Sequence, residues 1–359
     1  MTLLWINLIV VFMCAFLARY FSTQKLAAEA VIPIIPNKPL IFGSLASLVV
    51  IAGLRTNIGD TYFYKHAFET NDFEWADVAE QENVGFWLLQ KTLKQFSEDP
   101  QILLFTTALI TNVLIVWILA KYSRMIELSL YVYITGGLFL VSMNGIRQTL
   151  TAAILFAATK YLIEGNMVRY FIVVLIASTF HQSALVLIPI YFIVRLRAWS
   201  VATFLLMVIG VAITAGYEYF SAFLFSAIEN TQYGYYSDFQ EGGASKIRVA
   251  VTAAPLLIAY LGRHKFRKIF PYSDVIVNMS LMGLVFMIVS TQNWIFARFT
   301  IYFNLYQLIL ISWVVKLFHP KDQRFVYFAI LVCYFIYYFY ENVTTLQIEF
   351  KSVLDEFLL

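Results

Sequence analysis

Charge is scarce in this chain of 359 residues. Asp, Glu, Lys and Arg together make up 13%, against about a quarter in ordinary soluble domains, and that deficit excludes a conventional water-soluble fold. Cysteine is nearly absent as well. Cys14 and Cys333 both lie in apolar segments with no histidine or carboxylate at ligand spacing, so neither a disulfide framework nor a zinc site is expected, and both read as helix-packing residues. The first apolar run, "LLWINLIVVFMCAFLARYF", lacks a basic stretch ahead of it and carries its arginine at the far end. A cleaved signal peptide has the opposite polarity, so this run is read as a first membrane helix. The formal net charge of +3 comes from basic residues beside apolar segments, and gives no reason to expect nucleic acid as a partner.

What fills the sequence is apolar: 61% hydrophobic and 18% aromatic residues. Stretches of about 17 to 25 such residues are long enough to cross a hydrocarbon core, and they recur from end to end. The reading is an all-α polytopic membrane protein, a single integral membrane domain over residues 1–359, with no large soluble domain. Candidate spans are 2–21, 40–54, 101–120, 128–143, 146–163, 168–180, 182–194, 199–220, 248–261, 274–291, 297–316 and 325–340, about twelve transmembrane helices in all. Residues 55–100 form a large outer loop between the second and third spans. It contains an amphipathic segment with apolar Phe86, Leu89, Leu93 and Phe96, suited to lie at the interface or fold over the bundle.

Basic connections mark the cytoplasmic side: Arg19 with Lys25 and Lys38, Lys121 with Arg124, Arg195 with Arg197, "RHKFRK", and Lys316, Lys321 and Arg324. One path accommodates them, with the N-terminus outside and residues 168–194 forming a hairpin that turns at "TFHQS". The remaining polar residues then collect on the outer side. They lie in the loop 55–100, in "SMNGIRQ", in "FHQS", in "ENTQYGYYSDFQEGGASK" and in "TQNWIFARF". The final "LQIEFKSVLDEFLL" is amphipathic and is placed at the outer interface.

Arg147 stands at the start of an otherwise apolar helix. Alone, it could simply snorkel to the headgroups. Asn144, Gln148 and Thr149 accompany it, however, where free backbone N–H groups and the helix dipole favour an anion. Ala153 and Ala157 offer a small face for close packing. His181, flanked by apolar residues, is either a satisfied buried histidine or a group for proton transfer. Arg55 and Asp60 fall just beyond the second span, Tyr62 and Tyr64 follow, and Glu82 precedes the amphipathic segment. Arg298 repeats the pattern of an arginine at the outer end of an apolar helix. Three arginines converging on one face, Arg55, Arg147 and Arg298, would suit a phosphate-bearing ligand. The tyrosines of "QYGYY" at 232–236 could stack on sugars or anchor at the interface.

The run "SMNGIRQTLTAAILFAATKYL" followed by "LIASTFHQSALVLIPIYFI", with "GLRTNIGDTYFY" and "ENVGFWLL" before it and "ARFTIYF" after it, resembles the EpsG family of bacterial exopolysaccharide polymerases, which are Wzy-like. The resemblance spans about residues 50 to 305. It implies a GT-C-like architecture and a multi-pass protein of the bacterial cytoplasmic membrane with its active site on the extracytoplasmic side. The implied reaction is transfer of a glycan chain from undecaprenyl pyrophosphate to the non-reducing end of a lipid-linked repeat unit. Asp60, His181 and Glu82 are then the candidate catalytic residues, and Arg147, Arg298 and Arg55 the pyrophosphate-binding ones. Tyr64, Asn144, Gln148, Ser183 and Tyr302 would touch substrate. A threonine follows Asp60, which leaves open whether Tyr62 or Tyr64 takes the tyrosine role. No dedicated metal site or other cofactor is expected, and a divalent cation between Asp60 and a pyrophosphate oxygen is the one such group the residues leave room for. The implied partners are the undecaprenyl-pyrophosphate-linked oligosaccharide, membrane lipid, a chain-length regulator and other exopolysaccharide assembly proteins. Two competing readings are a lipid-linked oligosaccharide flippase or transporter, and a membrane O-acyltransferase using His181 as base. No inverted repeats support the first, and no inner polar pocket supports the second.

Overall fold

The computed structural model describes residues 1–24, 34–228 and 242–355. Lys25, the "QYGYY" tyrosines and the last four residues of the C-terminal segment lie outside the described residues. The chain forms two compact units, Met1–Ile188 with Ile311–Leu359, and Pro189–Leu310.

In the first unit the helices are α1 (Thr2–Tyr20), α2 (Lys38–Gly53), α3 (Thr61–Thr70), α4 (Val84–Lys94), α5 (Gln101–Tyr122), α6 (Ile126–Thr135), α7 (Leu138–Asn144), α8 (Ile146–Ala157), α9 (Thr159–Glu164) and α10 (Met167–Ser178). Local chemistry sets their limits. The Asn37 side chain accepts from the Leu40 N–H, and a proline in the first turn helps to start α2. Gly137 at φ +88° breaks α6 from α7, and Gly165 at φ +75° stops α9.

The hydrogen bonds show how the helices run. The Asn37 N–H donates to the Ala18 carbonyl at 2.8 Å, so α2 starts where α1 ends. Gln101 Nε2 donates to the Gly53 carbonyl at 2.6 Å, so α5 starts where α2 ends. Near the end of α1, Arg19 Nε lies 2.6 Å from a Glu127 carboxylate oxygen at the start of α6. The α6–α7 pair runs from there to Asn144, beside Asp60. The first unit thus has one end marked by Arg19 and Glu127 and another marked by Gly53, Asp60 and Asn144.

Every expected span is helical, but helix length supports fewer crossings than about twelve. Among the described residues four helices are long and apolar enough to cross a membrane: Thr2–Tyr20, Gln101–Tyr122, Trp294–Leu317 and Gln323–Thr345. Two bent pairs, Ile126–Thr135 with Leu138–Asn144 at 55° and Val201–Ala215 with Tyr217–Phe223 at 92°, make six if each is one span. The others stop short. At 1.5 Å per residue the 16 residues of α2 reach about 24 Å. The turn expected at "TFHQS" is present, between the end of α10 and a 3-10 segment over Gln182–Val186 that leads into α11 (Leu187–Val194).

The loop 55–100 is largely helical and folds onto the bundle. Phe86 and Leu93 of α4 are buried with Phe68, Leu103, Leu104 and Ile146, and Leu89 packs against them. Each such side chain contributes roughly 1.5 to 3 kcal/mol, which favours packing over lying flat at the interface. Phe96, the fourth apolar position, stays exposed.

The second unit contains α12 (Val201–Ala215), α13 (Tyr217–Ile228), α14 (Lys246–Leu261), α15 (Arg263–Ile269), α16 (Ser273–Val289) and most of α17 (Thr300–Val314). Helices α12 and α14 pack on α16. There Phe286 stacks on Phe299 and Phe303 at centroid distances of 5.2 and 5.4 Å. Helix α18 (Gln323–Tyr338) belongs to the first unit and continues through a π-helical turn, Phe339–Thr345.

Candidate active site

The site of the first unit is built on the turn from α2 to α3. Gln101 holds the end of α2 by donating to the Gly53 and Arg55 carbonyls. Arg55 is 1% exposed. Its Nε donates to Thr61 Oγ1 at 3.1 Å and its Nη1 to the Ala52 carbonyl, while its buried Nη2 has no hydrogen-bond partner. Burial pulls its pKa down to about 10, which still leaves the guanidinium charged at neutral pH. Arg55 therefore pins the turn from behind and does not line the cavity in front of it.

The chain next passes through two unusual residues, Ile58 at φ +97° and Gly59 at φ +50°. A β-branched residue at positive φ is a strained choice. The turn closes on Asn144, whose Oδ1 accepts the Asp60 N–H at 3.0 Å. A Cβ on Gly59 would stand 2.0 Å from that oxygen, so only glycine allows the approach.

Asp60, Phe63, Tyr64 and Ala67 follow at helical spacing and face one side of α3. Together with Phe86 and Gln90 of α4 and Arg147 from the first turn of α8, they line a cavity of about 390 Å³. The Arg147 guanidinium carbon lies 5.9 Å from the ring centres of both Tyr64 and Phe86, within cation–π range. Its Nε is buried and has no hydrogen-bond partner. Gly145 begins α8 without a side-chain cap. Tyr64 is thus the tyrosine on the cavity, whereas Tyr62 is exposed and stacks on His66.

His181 and Ser183 stand beside this cavity without lining it. The Gly85 N–H donates to the Thr179 carbonyl at 2.8 Å, and Gln182 Nε2 donates to the Glu82 carbonyl at 3.2 Å. The turn carrying His181 thereby fixes the start of α4, whose first two turns carry Phe86 and Gln90. His181 Nδ1 and Ser183 Oγ are 2.7 Å apart. Glu82 is exposed, and Gln148 is buried within α8.

In the second unit, the Arg298 guanidinium lies over the Trp294 ring at 4.7 Å, and Tyr302 is buried. The structure accordingly brings together Asp60, Tyr64, Asn144 and Arg147, with His181 and Ser183 on the adjoining turn and Glu82 just ahead of α4. Phe63, Ala67, Gln90 and Gly59 were not singled out from sequence; a helical projection starting at Asp60 gives Phe63, Tyr64 and Ala67. Among the described residues no three His, Cys, Asp or Glu side chains group as a metal site. Among the described residues Asp60 is the one carboxylate lining the cavity, so a divalent cation there would need most of its oxygen ligands from a bound pyrophosphate and water.

No curated protein and no solved structure matches the chain. The EpsG family model matches residues 39–352, nearly the whole chain, and the protein belongs to the EpsG family.

Proposed function

We propose that this membrane protein is an exopolysaccharide polymerase of GT-C-like architecture. It transfers a growing glycan from undecaprenyl pyrophosphate to the non-reducing end of a lipid-linked repeat unit, on the outer face of the cytoplasmic membrane. Family membership supports a polysaccharide-polymerase-like activity. The observation that carries the chemistry is the cavity itself, where an arginine with an unsatisfied buried Nε faces the same space as one carboxylate.

In this reading the acceptor hydroxyl oxygen attacks the anomeric carbon of the donor glycan, and the bond from that carbon to the pyrophosphate oxygen breaks. Asp60 is the base that takes the hydroxyl proton; His181 is the second candidate for that role and Glu82 the third. Undecaprenyl pyrophosphate leaves with added negative charge, which Arg147 stabilises between apolar walls, where a preorganised cation is worth more than in water. The uncapped first turn of α8 adds its N–H groups to the same anion. Arg55 supports the site by holding the turn. Tyr64, Asn144, Gln148 and Ser183 complete the substrate surroundings. In this reading Asp60, the one carboxylate lining the cavity among the described residues, serves as base in one direct displacement, which inverts the anomeric centre.

The test uses purified undecaprenyl-pyrophosphate repeat units and protein in liposomes. A ladder of products, release of undecaprenyl pyrophosphate with each bond made, and an inverted new linkage are expected. No ladder from the native repeat unit would move the transporter reading to the front.

A further inference from the structure

After the π-helical turn, the chain returns to the Asp60 turn as an extended strap. Arg55 and Ser352 are an antiparallel bridge. On either side of it the Thr56 N–H donates to the Lys351 carbonyl at 3.0 Å, and the Val353 N–H to the Leu54 carbonyl at 2.9 Å. Ser352 Oγ donates to the Leu54 carbonyl at 2.8 Å. Asn57 then grips the strap with both ends of its amide. Nδ2 donates to the Glu349 carbonyl at 2.6 Å, and Oδ1 accepts the Lys351 N–H at 2.7 Å.

Asn57 immediately precedes Ile58 and Gly59, the two residues at positive φ, and Asp60 follows them. A turn that only joined α2 to α3 would relax such strain, which amounts to about 1 to 3 kcal/mol per residue outside glycine. Here it cannot relax, because Asn57 holds it from the strap side and Asn144 from the other. Ile58 is therefore kept in a conformation that sets where α3 begins and where the Asp60 carboxylate stands.

We propose that Asn57 and the strap over residues 348–353 are a positioning device for Asp60, so that helix α18 is mechanically tied to the base of the transfer reaction. Asn57 acts through the turn and touches no substrate. The proposal rests on the polymerase reading of the cavity.

The experiment compares Asn57→Ala, Asn57→Asp and Ser352→Ala with wild type in the full-length protein, by steady-state polymerisation and by amide exchange. Misplacing a catalytic group by about 1 Å costs up to roughly a hundredfold, so Asn57→Ala should lower kcat at least about tenfold while KM for the lipid-linked unit stays within about threefold. Asn57→Asp, which keeps the acceptor for the Lys351 N–H, should recover part of that loss, and Ser352→Ala should cost less than Asn57→Ala. Exchange should quicken in residues 56–64 and not in α5. Unchanged kcat in Asn57→Ala, or quickened exchange spread evenly over α5 as well, would overturn the proposal. A wild type without polymerase activity would instead overturn the polymerase reading, and the exchange arm would still decide whether the strap holds the turn.

Discussion

Replacing Gly59 with alanine inserts one methyl group where the structure has no room for it. The new Cβ would lie 2.0 Å from Asn144 Oδ1, 2.3 Å from its Cγ and 2.8 Å from its Cβ. Turning the Asn144 amide aside cannot relieve this, because the Asn144 Cβ is itself too close. Either the turn or the end of α7 must move by more than an ångström, and the hydrogen bond from the Asp60 N–H is lost. Losing that bond costs about 1 kcal/mol, and holding alanine in the left-handed region costs roughly another 1 to 2 kcal/mol. Gly59→Ala is therefore expected to destabilise the protein by about 2 to 3 kcal/mol and to lower polymerisation at least about tenfold through displacement of Asp60. Asn144→Ala removes the hydrogen bond and the two nearest atoms of the obstacle, Oδ1 and Cγ, and leaves only the milder contact with the Cβ. In the double variant the second substitution should thus cost less than it does alone, a coupling that a double-mutant cycle reads directly. Thermal unfolding in detergent and polymerisation in liposomes give the two sides of the cycle. Additive effects, or a Gly59→Ala protein as stable and active as wild type, would refute the contact between this turn and Asn144.

The remaining expectations concern the three kinds of arginine. Arg147→Ala should reduce transfer by at least about a hundredfold, and Arg147→Lys should recover little of it, because a point charge does not replace the planar fork at a phosphate; comparing kcat/KM for the three proteins checks this. Arg55→Ala should act on stability, by about 2 kcal/mol from lost buried hydrogen bonds to a charged group, while KM for the lipid pyrophosphate changes little in whatever protein folds; a large KM effect without destabilisation would restore direct binding. Arg19→Ala removes the direct ion-pair partner of the buried Glu127 and leaves it only the field of Arg124, and with Arg19 partly exposed the cost is about 2 kcal/mol. Adding Glu127→Gln should return most of that stability, as thermal unfolding of the pair would show.

The helical membrane character is plain in the sequence, because apolar runs and scarce charge carry it with no need for tertiary information. The number of crossings is not, since apolarity marks a segment such as 146–163 but does not reveal that the helix breaks at Ala158 into α8 and α9. Composition also hides α3. "GDTYFYKHAF" reads as loop because its apolar and polar residues mix, and only its packing against α4 and α5 selects the helix.

At the site, Asp60, Arg147 and Asn144 stand out as polar residues beside apolar helices, and the structure brings these three together. Arg55 shows the limit of that signal. A charged residue near a helix end looks alike whether it faces a ligand or is folded under a turn, and burial alone separates the two. The strap over 348–353 was illegible for a different reason. Its partner lies near residue 57, almost the whole chain away, and backbone pairing at that separation leaves no local pattern.

Single-turnover transfer tests the central claim most directly. Wild type, Arg147→Ala and Asp60→Asn, each loaded with lipid-linked donor in liposomes, would be followed for formation of one glycosidic bond and release of undecaprenyl pyrophosphate. The account requires rapid bond formation by wild type, no detectable transfer by Arg147→Ala, and bound but unreacted donor in Asp60→Asn. Transfer at the wild-type rate by either folded variant would show that the cavity between α3, α4 and α8 is not where the glycan is moved.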